Sequence, residues 1–163
     1  MLKFEKVSNK QYQSDLSNLL VPYLSYSYDC VKLPTRATEK SSGYDFYAPF
    51  DFNLEVGESI TIPTGIRMIT DKYVWLLCMP RSGLGCKFRM QLDNTVGNVD
   101  GDYWKADNEG HIFAKITNDG KEGKPLIIKC GDRFMQGVIL PFTTTDDNEA
   151  TGTRTGGHGS TGA

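Results

Sequence analysis

The chain lacks any run of the roughly 20 apolar residues that a helix needs to cross a bilayer. Its start, MLKFEKVSNK, has no continuous apolar segment of the kind a secretory signal requires. No membrane partner is expected, and the cytoplasm is the default location. Cysteine is sparse, and Cys30, Cys78, Cys86 and Cys130 form no CxxC pair and have no histidine at zinc-finger spacing. A structural metal site is therefore not expected, and four spaced thiols fit a reducing compartment. The only histidines are His111 and His158, so no Ser-His-Asp or Cys-His nucleophile is evident. Basic residues form no run and the net charge is −2, which argues against an extended nucleic-acid face but leaves room for a small anionic ligand. GxxxxGK[ST] and GxGxxG are both missing. Any phosphate must therefore be held by loops, without the common cradle at a helix N-terminus.

What is present is the composition of one soluble domain: 163 residues, 39% hydrophobic and 23% charged. Ser8 followed by Gln11 reads as a capping box, and Leu16, Leu19, Leu20 and Tyr23 recur at helical spacing. A short amphipathic helix is predicted there, ended near Leu20 by Pro22, with packing as its role. From Lys32 the texture changes to short β-rich runs between turn residues: FDFNLEV, SITIPTGIRMI, YVWLLCM, HIFAKITND and PLIIKC. Strands at such spacing predict an all-β sandwich or jelly roll. The divisions are an N-terminal extension at 1–31, a β-barrel core at 32–145 and a flexible arm at 146–163. TTTDDNEATGTRTGGHGSTGA has almost nothing apolar to bury, so it reads either as a disordered end or as a phosphate-binding lid.

Two internal segments carry chemistry. Pro80-Arg81-Ser82-Gly83-Leu84-Gly85 follows YVWLLCM and offers a guanidinium, a hydroxyl and flexible amides at a strand end, although a plain surface turn reads the same way. Asn94 to Tyr103 ends in Asp100-Gly101-Asp102-Tyr103. Two carboxylates two residues apart on a strand repel each other, so this spacing requires a turn at Gly101 or a nearby cation. A carboxylate beside bound phosphate can orient or deprotonate water, and a tyrosine ring offers a flat face to a sugar.

Taken together, SGYDFYA, PRSGLG, NTVGNVDGDY, GDRFMQG and GGHGSTG resemble, in order, the motifs of the trimeric dUTP diphosphatase (dUTPase) family, over about Lys32 to Gly162. In the last motif His158 stands where that family usually has phenylalanine. The resemblance implies a β-jelly-roll barrel and a homotrimer whose subunits share active sites, with dUTP as substrate and Mg2+ as cofactor. It implies that Asp100 orients the water attacking the α-phosphorus and holds the deoxyribose 3′-hydroxyl. Asn94 and the backbone around Gly97 and Val99 would read uracil, and Tyr103 would pack under the deoxyribose and exclude a 2′-hydroxyl. Arg81, Ser82, Gly83, Arg133 and Gln136 would serve the phosphates, and Asp45 would reach magnesium through water. Arg154, Gly157, Gly159, Ser160 and Thr161 would close over the β- and γ-phosphates while His158 covers uracil. The alternatives are a dCTP deaminase of the same fold and a nucleotide-binding regulatory protein. The latter would act on a partner through the N-terminal helix or the loop from Lys105 to His111.

Overall fold

The apolar alternation in the sequence becomes twelve strands in the computed structural model, which describes residues 1–19, 27–147, 149–152 and 154–156. Strand β1 (Leu2–Lys6) leads into helix α1 (Asn9–Asn18). Strands β2 (Thr35–Arg36), β3 (Gly43–Tyr47), β4 (Phe52–Leu54), β5 (Ser59–Pro63), β6 (Ile66–Thr70) and β7 (Val74–Pro80) precede a second helix, α2 (Ser82–Phe88). The remainder is β8 (Met90–Leu92), β9 (Gly97–Val99), β10 (Phe113–Asn118), β11 (Leu126–Ile128) and β12 (Arg133–Pro141). The fold is an all-β jelly roll with short helices, as its sequence predicts.

A five-stranded sheet runs β2-β3-β12-β7-β9, a three-stranded sheet runs β5-β10-β8, and β11-β4 and β1-β6 form two-stranded pairs. Phe46, Leu76 and Met135 from the first sheet and Ile62, Leu92 and Ile116 from the second enter one hydrophobic core. Each such fully buried side chain contributes about 1.5–3 kcal/mol by leaving water. The period-2 rule is visible in β11, where Leu126 and Ile128 are buried and Ile127 faces out. Long β12 pairs with both β3 and β7, and its register on β3 shifts between Arg133 and Met135. That bulge places the consecutive residues Phe134 and Met135 both inside.

Two expectations need correction. The capping box is only half formed: Gln11 N–H donates to Ser8 Oγ at 3.1 Å. The Gln11 side chain instead turns to Asp15 Oδ2 at 3.0 Å, and Ser8 N–H is taken by Glu109 Oε2 at 2.8 Å. A distant carboxylate thus replaces the local one. The helix buries Tyr12 and Leu16 and is capped at Leu19; Leu20, Pro22 and Tyr23 lie outside the described residues. Segment PRSGLG also departs from a plain turn, since Ser82 and Gly83 open α2 with Arg81 as N-cap. Two glycines weaken helix propensity, but Leu84 and Phe88 pack against the core and override it.

Residues 2–6, read only as extension, pair antiparallel with β6, and Val7 behind them is fully buried.

Candidate active site

The third-motif segment forms the rim of a cavity. β9 hydrogen-bonds to β7 through the Cys78–Gly97 and Leu76–Val99 positions, and a Cβ on Gly97 would come within 3.0 Å of Cys78 Cβ. Glycine lets this short strand lie close without pressing on the Cys78 side chain. A cavity of about 420 Å³ results, with Asn94, Gly97, Val99, Asp100, Tyr103 and Arg154 in its walls and Met135, Ile112 and Ala114 as apolar lining. Asn94 and Asp100 are exposed, whereas Tyr103 is 6% exposed. The Tyr103 hydroxyl donates to His111 O at 3.0 Å and accepts from Asn108 Nδ2 at 2.9 Å. Burial raises the Tyr103 pKa, so the phenol stays protonated and able to donate. Burial likewise pushes Cys78 up to about 12, which leaves it an inert thiol in the wall.

The repulsion between Asp100 and Asp102 is relieved in both ways the spacing requires. A turn follows at Gly101, and Arg154 bridges the two acids, pairing through Nη2 with Asp100 and through Nε with Asp102 at 3.0 Å. The guanidinium also lies 5.4 Å from the centre of the Tyr103 ring, a cation–π contact, and the Arg154 side chain is only 10% exposed. Asp107 N–H donates to Thr155 O at 3.1 Å, fastening the arm next to Arg154 to the loop that follows Tyr103. A larger groove of about 790 Å³ shares Asn98, Asp100 and Arg154 with the cavity but is floored by Tyr73, Trp75, Trp104 and Phe142. That groove is at least as rich in polar side chains but has neither Asn94 nor Tyr103 in its walls, and the smaller cavity, which holds both beside the edge of β9, is the better candidate ligand site.

A second cluster forms around Asp45, which is buried and gripped by two guanidinium groups, Arg81 Nε at 2.9 Å and Arg133 Nη1 at 3.2 Å. Gln136 lies directly across from Asp45 in the β3–β12 register and its amide reaches Pro80 O at 3.4 Å. Ser82 and Gly83 are exposed in the first turn of α2, where backbone N–H groups have no partner within the helix. None of Asp45, Arg81, Ser82, Gly83, Arg133 and Gln136 lines the 420 Å³ cavity. Side chains alternate along β12, so Met135 faces the cavity while Gln136 shares the opposite face with Asp45. The chain therefore carries the expected base-reading residues and Arg154 at the cavity, and Asp45, Arg81, Ser82, Gly83, Arg133 and Gln136 away from it. Gly157, His158, Gly159, Ser160 and Thr161 lie outside the described residues.

Other groups at the site carry no motif in the sequence. Lys115 and Asp93 line the cavity and pair at 3.0 Å, and the hydrogen bond from Thr117, ahead of the Lys115 contact, holds the Asp93 carboxyl below its usual range. The alternation in HIFAKITND puts Lys115 on the outward face of β10, the one signal that could have found it. Among the described residues no group of three or more His, Cys, Asp or Glu side chains is placed to hold a metal ion.

A family model described as dUTPase matches residues 29–162 of the chain. Relatives include the deoxyuridine 5'-triphosphate nucleotidohydrolase of Lactococcus lactis subsp. lactis, 39% identical over 136 residues, which span 82% of this chain and 89% of that protein. The enzyme of the same name from Haemophilus influenzae is 38% identical over 138 residues, spanning 80% and 87%. Among solved structures, dUTPase from Streptococcus mutans superposes with a TM-score of 0.68 at 29% identity, covering 88% of this chain and 98% of that one. A mutant dUTPase from phage phi11 of S. aureus, whose structure reveals the coordination of a structural Mg(II) ion, gives 0.65 at 18% identity over 93% and 97%. At that identity the phage protein speaks for the fold alone.

Proposed function

The chain belongs to the dUTPase family, and on that premise we propose that it hydrolyses dUTP to dUMP and pyrophosphate. The observation that carries this reading is the cavity rimmed by Asn94, the edge of β9, Tyr103 and Asp100. Asn94 and the β9 backbone present donors and acceptors to one edge of a uracil. Cytosine, with the opposite polarity at that edge, would leave them unpaired. The Tyr103 ring lies flat under the deoxyribose and leaves no space for a 2′-hydroxyl. Asp100 orients a water whose oxygen bonds to the α-phosphorus as the bridge to the β-phosphate breaks and pyrophosphate departs in line.

Arg81, Arg133, Ser82, Gly83 and Gln136 neutralise and position phosphate oxygens. Their location away from the cavity, with Gln136 on the face of β12 opposite to it, supports a homotrimer in which one subunit supplies the base pocket and another the phosphate groups. Both Asp45 oxygens are already held by arginines, so Asp45 fits a magnesium ion only through coordinated water, with the triphosphate as the main ligand. Bound in that way, the ion would neutralise charge on the departing pyrophosphate. Arg154 guards Asp100 before substrate arrives and transfers to the β- and γ-phosphates as the arm closes, with Gly157, Gly159, Ser160 and Thr161 joining it and His158 covering the uracil.

The test is incubation with each deoxynucleoside triphosphate and magnesium, followed by product identification. dUMP and pyrophosphate from dUTP alone is the expected result. Conversion of dCTP to dUTP would instead establish the deaminase alternative.

A further inference from the structure

The N-terminal helix α1 and the loop at 106–111 lie beside the site without a role in the reaction described above, yet they are joined by an unusual set of contacts. His111 is fully buried, and its Nε2 accepts the N–H of Gly65 at 2.7 Å. That nitrogen is therefore unprotonated, and Nδ1 carries the hydrogen, which it donates to Asp15 Oδ2 at 2.6 Å. About two turns earlier, at the N-cap of α1, Ser8 offers N–H and Oγ–H to the two oxygens of Glu109 at 2.8 and 2.6 Å. Glu109 has a φ of 59° and Gly110 a φ of 71°, two successive left-handed residues. A non-glycine residue there is strained and persists only when its surroundings hold it. The loop is also pressed against the site: a Cβ on Gly110 would lie 2.3 Å from Trp104 Cα and 2.7 Å from Tyr103 O.

The loop closes on the tyrosine hydroxyl from both sides, through Asn108 Nδ2 and the His111 carbonyl. Ser8 and Asp15 precede residue 29, where the family match begins. We infer that α1 is a positioning element for Tyr103: through Asp15 and Ser8 it sets the 106–111 loop that clamps the tyrosine hydroxyl, and so sharpens discrimination between deoxyribose and ribose. The inference rests on the reading of Tyr103 as the floor beneath the sugar.

The experiment measures kcat and KM for dUTP and for UTP in the full chain and in Asp15→Ala, Asp15→Asn, Ser8→Ala, Tyr103→Phe, Tyr103→Ala and the Asp15→Ala/Tyr103→Phe double variant. Asp15→Ala should lower the dUTP-to-UTP ratio of kcat/KM about tenfold, since misplacing a contact by about 1 Å costs up to ~10²-fold. Asp15→Asn, whose amide oxygen still accepts the Nδ1 hydrogen, should restore most of it, and Ser8→Ala should shift the ratio in the same direction by less. In the double variant the loss should not add to that of Tyr103→Phe, because both remove the same clamp. A purely structural helix would slow both substrates by one factor. An unchanged ratio in both Asp15→Ala and Ser8→Ala, with Tyr103→Phe lowering it, overturns the inference alone. If dUTP is not turned over, or both tyrosine variants keep the parent ratio, the reading of Tyr103 fails and takes the inference with it.

Discussion

Replacing Asp100 by Asn separates chemistry from stability. Asp100 is 49% exposed, and its described partner is Arg154, which keeps its second contact to Asp102 in the variant. An ion pair so open to water is worth about 0–1 kcal/mol. Taking about 0.5 kcal/mol, the melting temperature of a chain this size falls by about 1–2 °C. Turnover has a different scale, because removing a positioned base costs about 10²–10⁴-fold, or roughly 3–5 kcal/mol of barrier. Pyrophosphate release in single-turnover mixing gives the rate, calorimetry with a non-hydrolysable dUTP analogue gives affinity, and a thermal melt gives stability. The expected pattern is a rate lowered at least a hundredfold, affinity within a few-fold of the parent and a nearly unchanged melt. A rate within threefold of the parent refutes the assignment of Asp100, and a large drop in melting temperature refutes the ledger for its ion pair.

Ending the chain after Gly156 should leave the melt and the assembly unchanged, while turnover falls about 10²-fold or more with the loss of phosphate donors; full turnover in a coupled pyrophosphate assay would reduce residues 157–163 to a passive end. Within that arm, His158→Phe should keep activity and His158→Ala should weaken analogue binding by about 1–3 kcal/mol, the worth of one base–aromatic stack, as titration calorimetry would report. Chelation of magnesium should abolish turnover yet spare the melt, since no cluster of three or more ligating side chains among the described residues would lose its ion; a rate indifferent to chelator contradicts the role given to Asp45. Burial lowers the pKa of His111 from 6.5, outweighing the opposing pull of Asp15 and Glu109. Below about pH 6.5 the unfolded chain then binds a proton that the folded chain refuses, so stability declines as pH falls, by up to ~1.4 kcal/mol per unit. Glu5, Asp93 and Glu109 have lowered values and act only nearer pH 4, so melts between pH 5.5 and 7.5 isolate the histidine, and a flat profile there would contradict its neutral, buried state.

The sequence by itself determined the strand texture, the order of the motif segments and the need for a turn or a cation between Asp100 and Asp102. These are short-range matters: side-chain alternation, turn residues and the repulsion of two charges a fixed distance apart. Tertiary structure alone decided that the cation is Arg154, brought from the far end of the chain, and that Ser8 is capped against Glu109 and not reciprocally by Gln11. It likewise decided that Leu2–Lys6 is a strand, because an edge segment without β6 beside it has no partner for its backbone groups. Most consequentially, it put Asp45 and Gln136 on one face of the sheet and Met135 with the cavity on the other. Which face a residue occupies depends on register, a bulge at Arg133–Met135 included, and register exists only once β3, β12 and β7 have met.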